Sequence, residues 1–166
     1  MIPEIKKILY ATDLSENARY AFGYAVSLAS RYDAKITVLH VVEELSSFAR
    51  SMVEEILGEK RWADRIKEKE TKVIAELKTR LDEFCKEVCH EQPGCPFVIE
   101  KTVVVTGHPV DQISRYAKEM DADVIVMGSR GKGGLADVTL GSTSRRVLKR
   151  GITPVMVIRL PKGQNM

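Results

Sequence analysis

The chain is poor in the residues that mark several large functional classes. Aromatic residues make up only 6% of it, with a single tryptophan, and no dense stripe of Lys and Arg interleaved with aromatics occurs. With a net charge of only +3, this argues against a nucleic-acid-binding surface and suits a small anionic ligand better. Long hydrophobic runs are missing too. The segment from Met1 to Lys7 has no apolar stretch of signal-peptide type and nothing approaches a bilayer span, so the sequence predicts a soluble, cytoplasmic protein without a membrane partner.

Cysteine is scarce and its number is odd. Cys85, Cys89 and Cys95 lie close together, which argues against a secreted disulfide framework. The favoured reading makes Cys85 a small core residue on a helix with the others at its end. A Cys89–Cys95 disulfide across the Pro93-Gly94 turn and a zinc site that adds His90 rank behind it, since structural zinc usually takes four ligands in two spaced pairs.

Hydrophobic residues make up 44% of 166 residues, enough for one sizeable core, and the pattern predicts one domain over 1–166. Ile5 to Ala11 reads as a first strand leaving through Thr12-Asp13-Leu14-Ser15. A helix follows from Ser15-Glu16 with Ala18, Ala21, Phe22, Ala25, Leu28 and Ala29 at helical spacing. Lys35 to Val42 is a β-branched second strand. Phe48, Met52 and Ile56 suggest a short amphipathic helix up to Gly58, within a helical insertion at about 43–70. Trp62, Ile66, Val73, Leu77, Leu81, Phe84 and Val88 then mark one stripe of a long charged helix. Phe97 to Val105 is a third strand, and Gly107-His108-Pro109 opens a helix with Ile113, Tyr116 and Ala117 inward. Ala122 to Met127 leads into a fourth strand. Thr143 to Arg150 is a helix with Val147 and Leu148 inward, and Pro154 to Ile158 a fifth strand. The alternation predicts an α/β fold: a doubly wound, five-stranded parallel sheet with helices on both faces. Its ligand crevice belongs where the strand order reverses, with the first and fourth strands as neighbours. His40 reads as buried in its strand and His108 as a loop residue.

Between the fourth strand and the following helix stands Gly128-Ser129-Arg130-Gly131-Lys132-Gly133-Gly134, with Gly141-Ser142-Thr143-Ser144 beyond it. The order strand, glycine loop, helix suits phosphate. Glycine lets the main chain approach an oxyanion, and a helix start offers unpaired N–H groups and partial positive charge. Arg130 and Lys132 add cations, and one hydroxyl among Ser142, Thr143 and Ser144 is expected to cap the helix. The spacing G-x2-G-x9-G-S matches neither the Walker A loop nor the dinucleotide fingerprint. Asp13, on the neighbouring strand, falls opposite this loop and reads either as a helix cap or as a ligand contact, the latter favoured.

With Asp13, Gly107-His108-Pro109 and the G-x2-G-x9-G-S loop in these places, the chain resembles the universal stress protein family over nearly its whole length, and its intact glycines resemble the ATP-binding subgroup. The resemblance implies a Rossmann-like fold of the adenine nucleotide alpha hydrolase type. It puts Gly131, Gly141, Ser142 and Thr143 at the phosphates, Asp13 and Gly128 at the ribose, and Ala11, Val41 and Met127 at the adenine. Thr12 and Arg130 complete the expected set. It further implies ATP with Mg²⁺ or Mn²⁺, Asp13 approaching the metal through the bound nucleotide, and a homodimer through the last strand. The function implied is regulatory or stress-related and is exercised on an unidentified protein partner. No catalytic residues are assigned, because the spacing that organises phosphoryl transfer is missing. A slow ATPase or related adenine-nucleotide hydrolase is the alternative. Departures from the family pattern fall at Asp137-Val138-Thr139 and in the 43–58 stretch.

Overall fold

Runs of β-branched and aliphatic residues that alternate in direction every residue can bury both faces of a strand, and this chain builds its sheet from five of them. The computed structural model describes residues 2–43, 51–52, 55–56, 59–91, 99–131 and 140–161. Strand β1 (Lys7–Thr12) leads to helix α1 (Glu16–Tyr32) and strand β2 (Lys35–Val42). Helix α2 (Glu59–Glu91) leads to β3 (Ile99–Thr106), α3 (Pro109–Glu119) and β4 (Val124–Gly128). Helix α4 (Ser142–Arg150) and β5 (Val155–Ile158) complete the order. On α2, side chains are described for 64–65 and 67–83.

All strand pairs are parallel and the order is β3-β2-β1-β4-β5. The chain winds outward from β1 to β3, then returns to the other side of β1, where Ile8 pairs with Val124 and Ala11 with Met127. The reversal therefore lies between β1 and β4. Alternate residues of β1 feed two cores. Ile8 and Tyr10 join Phe22, Ala25, Leu77 and Leu81 from α1 and α2, whereas Leu9 and Ala11 join Val110, Ile113, Ala117 and Val147 from α3 and α4. Small residues at 18, 21, 25 and 29 bring α1 close to the sheet, and all four are buried. Helices on both faces are what parallel strands buried on two sides require.

Several expectations shift. The first strand starts at Lys7 instead of Ile5, and Thr12 belongs to it. The described part of the third runs to Thr106, the fourth to Gly128, and the fifth begins at Val155. Leu148 faces outward and is 41% exposed, while Ser144 and Val147 are the buried residues of α4. Consecutive residues on a helix point about 100° apart, so on so short an element Val147 and Leu148 cannot share one narrow contact. The stripe on α2 is seen at Val73, Leu77 and Leu81. Residues 51–52 and 55–56 are helical, with Met52 and Ile56 exposed. Cys85, Cys89 and His90 lie on α2, but their side chains, like those of Trp62, Ile66, Phe84 and Val88, fall outside the described set. So do Phe48, Cys95, 132–135 and 137–139.

Candidate functional site

At the carboxyl end of β1 the chain turns sharply into α1. Leu14 takes a left-handed conformation, φ 63°, with its side chain buried, and its N–H donates to Thr12 Oγ1 at 3.1 Å. Ser15 caps α1, its hydroxyl oxygen accepting from Ala18 N at 3.2 Å. Asp13 is not the cap. Its Oδ1 instead accepts from Ser15 N (3.1 Å) and Ser15 Oγ (2.6 Å). Its Oδ2 lies against Gly131: a Cβ on that glycine would stand 2.5 Å from it. One carboxylate thus braces the helix start with one oxygen and meets the glycine loop with the other. On β2, His40 is buried and its Nδ1 lies 2.8 Å from Thr12 O, so that nitrogen carries the proton.

The loop after β4 is held at both ends. Ser129 is buried, its N–H donates to Ile158 O at 2.7 Å, and its carbonyl accepts from Gly141 N at 2.7 Å and Ser144 Oγ at 3.0 Å. Asn17 Nδ2 of α1 donates to Arg130 O at 2.9 Å. Three buried side-chain atoms find no partner among the described residues, Arg130 Nε and Asn17 Oδ1 at this loop and Gln112 Oε1 on α3. Helix α4 begins without a side-chain cap. Gly141 stands at the N-cap, and Ser144 Oγ turns back to Ser129 O and to Gly141 O (3.1 Å) instead of capping. The expected hydroxyl cap is therefore absent. Packing gives the reason: a Cβ at 141 would come within 3.1 Å of Ser129 O, so the tight chain crossing takes a glycine at the place a serine would cap. The first turn of α4 carries no acidic residue.

These segments enclose a cavity of about 640 Å³ at the carboxyl ends of β1, β2 and β4. Every one of the eleven expected residues lines it. Ala11, Thr12 and Asp13 come from β1 and its exit, Val41 from β2, and Met127, Gly128, Arg130 and Gly131 from β4 and its loop. Gly141, Ser142 and Thr143 come from the start of α4. Leu39, Glu43 and Pro109 also line it and were not expected; Ile113, His40 and Ser144 join them. Nothing local marks Leu39 as different from other strand residues, and Pro109 and Ile113 reach the cavity only because α3 packs on the same sheet face as α4. One side is thus apolar, and the other presents backbone, hydroxyls and a helix N-terminus. Among the described residues, no group of three or more His, Cys, Asp or Glu is placed to hold a metal ion by itself.

The universal stress protein family profile matches residues 4–159. Universal stress protein MJ0577 of Methanocaldococcus jannaschii is 32% identical over 158 residues, covering 93% of this chain and 94% of that protein. The solved structure of MJ0577 superimposes with a TM-score of 0.71 at 27% identity, over 97% of this chain and all of that one. Universal stress protein UspA from Lactobacillus plantarum gives a TM-score of 0.69 at 26% identity, over 95% of this chain and 100% of that chain. With its Rossmann-like sheet, its glycine loop and its cavity at the strand reversal, this chain belongs to the universal stress protein family.

Proposed function

We propose that this protein binds ATP in the cavity between β1 and β4 and acts as a nucleotide-dependent regulatory or stress-response protein. The observation that carries the reading is the convergence of Asp13 Oδ2, Gly131 and the N-terminus of α4 on one rim of that cavity. A helix start with no acidic residue in its first turn favours phosphate, and an anionic ligand supplies the acceptor that buried Arg130 Nε lacks among the described residues. The opposite wall, with Ala11, Val41 and Met127, suits an apolar purine. Its size falls within the usual range of ligand sites, about 300–1,000 Å³.

The donors near the phosphates are oxygens, one carboxylate and two hydroxyls, which fits a hard cation arriving on the nucleotide. Asp13 is the residue to meet Mg²⁺ or Mn²⁺, whose chemistry there is to neutralise phosphate charge. Hydrolysis is a lesser role in this reading, because Asp13 Oδ1 is engaged by Ser15 and His40 Nδ1 by a main-chain carbonyl. The protein acts in the cytoplasm, where ATP is held, through a partner of unknown identity and as a homodimer joined at β5. That strand pairs with β4 alone among the described residues, so its other edge is open. No helix among them is long and apolar enough to cross a membrane.

Mass spectrometry of ligand retained on purification, followed by calorimetric titration with Mg-ATP, tests the reading. Asp13→Ala should weaken ATP by about 1.5–3 kcal/mol if a charge-assisted hydrogen bond is lost. Turnover should lie far below the enzyme range of about 1–10³ s⁻¹. Fast hydrolysis that disappears in Asp13→Ala while affinity is kept would establish the ATPase alternative.

A further inference from the structure

Helix α2 bonds to two strand exits near the cavity without lining it. In its first half Glu70 Oε1 accepts from Thr106 Oγ1 at 2.5 Å, at the end of β3. Ten residues on, Arg80 Nη1 donates to Leu14 O in the turn that carries Asp13. Ten residues of helix rise about 15 Å. β1 and β3 stand two strand spacings apart, roughly 9–10 Å. The helix therefore crosses obliquely beneath both strand ends, as a brace under the site.

The Arg80 contact sits where the turn depends on it most. Leu14 lies just before the cap of α1, so its carbonyl is outside the helical ladder, and among the described residues Arg80 is its donor. The left-handed conformation of Leu14 is uncommon for a branched side chain and has to be held by its surroundings. Here they are the Thr12 hydroxyl on the amide, the core around the side chain and Arg80 on the carbonyl. Arg80 is itself oriented, for its Nη2 pairs with Glu76 Oε1 at 2.9 Å one turn back on α2. One residue to either side of Leu14 stand Asp13 and the serine that grips it.

We propose that Arg80 is a positioning residue for the nucleotide site, holding the Asp13-Leu14-Ser15 turn from α2 so that the long helix and the bound nucleotide are energetically coupled. The proposal rests on the nucleotide reading above. By linkage, whatever shifts α2 changes nucleotide affinity, and nucleotide changes the readiness of α2 to shift by the same factor.

The test is calorimetric titration of the full chain with Mg-ATP in the wild type, Arg80→Ala, Arg80→Lys, Glu76→Gln, Asp13→Ala and the Arg80→Ala/Asp13→Ala double variant, with thermal melts to establish folding. Arg80→Ala should weaken ATP by roughly five- to tenfold, the lower part of the usual coupling range. Arg80→Lys should recover part of the loss and Glu76→Gln should show a smaller one. In the Asp13→Ala background the same arginine change should have almost no effect, because a residue acting through Asp13 has nothing left to position. Amide exchange at residues 15–18 should quicken in Arg80→Ala with the central strands unchanged. Equal losses in both backgrounds, or wild-type affinity in Arg80→Ala, would overturn the positioning role and leave the nucleotide site standing. Failure of the wild type to bind ATP would overturn both. If Arg80→Ala does not fold, Arg80→Lys and Glu76→Gln carry the same comparison with and without Asp13.

Discussion

Gly131→Val is the sharpest perturbation available at the site. The new Cβ would stand 2.5 Å from Asp13 Oδ2, about 0.9 Å inside the near limit of ordinary contact at 3.4 Å. Asp13 is short, and it cannot swing away without loosening the two bonds that Ser15 makes to Oδ1. Gly131 is exposed, so the loop can move outward instead, and the fold should survive at a cost of about 1–2 kcal/mol, within the usual range for overpacking. Binding should suffer more. Whichever element yields, the carboxylate and the loop no longer meet, and the γ-methyls occupy the approach to the loop backbone. A loss of tenfold or more in ATP affinity is expected, about 1.4 kcal/mol. Thermal unfolding with ATP at 100 times the wild-type Kd reads it out: the wild type should gain about 2.7 kcal/mol, and the variant about half of that or less at the same concentration. For a domain of this size each kcal/mol moves Tm by about 2–4 °C, so the two shifts are readily separated. A variant that melts cooperatively and still shows the full wild-type shift would refute the phosphate assignment of Gly131.

Two further outcomes follow from the same geometry. Tyr10 is buried, its hydroxyl donates to Ala18 O at 2.6 Å, and burial holds the phenol well above its ordinary pKa of 10. A folded value above the unfolded one means that the tyrosine's contribution is complete below pH 10 and is lost as pH rises beyond it. Tyr10→Phe should cost about 0.5–1.5 kcal/mol at pH 7. The gap from wild type in urea midpoints should shrink above pH 10, and a pH-independent gap would count against the account. For the open edge of β5, light scattering at micromolar concentration should give twice the chain mass of 18.6 kDa, and a monomer mass with and without ATP would remove the dimer reading.

Much of this protein was readable without coordinates, because the signals concerned are local. Continuous apolar runs bury both faces of a strand wherever they sit, so the strands and their parallel connections followed from the order of elements, and the doubly wound pattern suggested β1 and β4 as neighbours, which the sheet order bears out. Loop glycines are called for by close approach of nearby backbone and side chains, and all eleven expected residues line one cavity. Other decisions depended on partners distant in the chain. Only the tertiary structure turned Ser144 inward by giving its hydroxyl the carbonyl of Ser129, and its tight crossing at Gly141 left α4 without a side-chain cap. It divided the Asp13 carboxylate between Ser15 and Gly131, where sequence reasoning posed cap and ligand contact as alternatives. And it brought Arg80 to Leu14 across 66 residues. On so charged a helix no spacing distinguishes that arginine from its solvated neighbours, since the difference is a carbonyl supplied by another part of the chain.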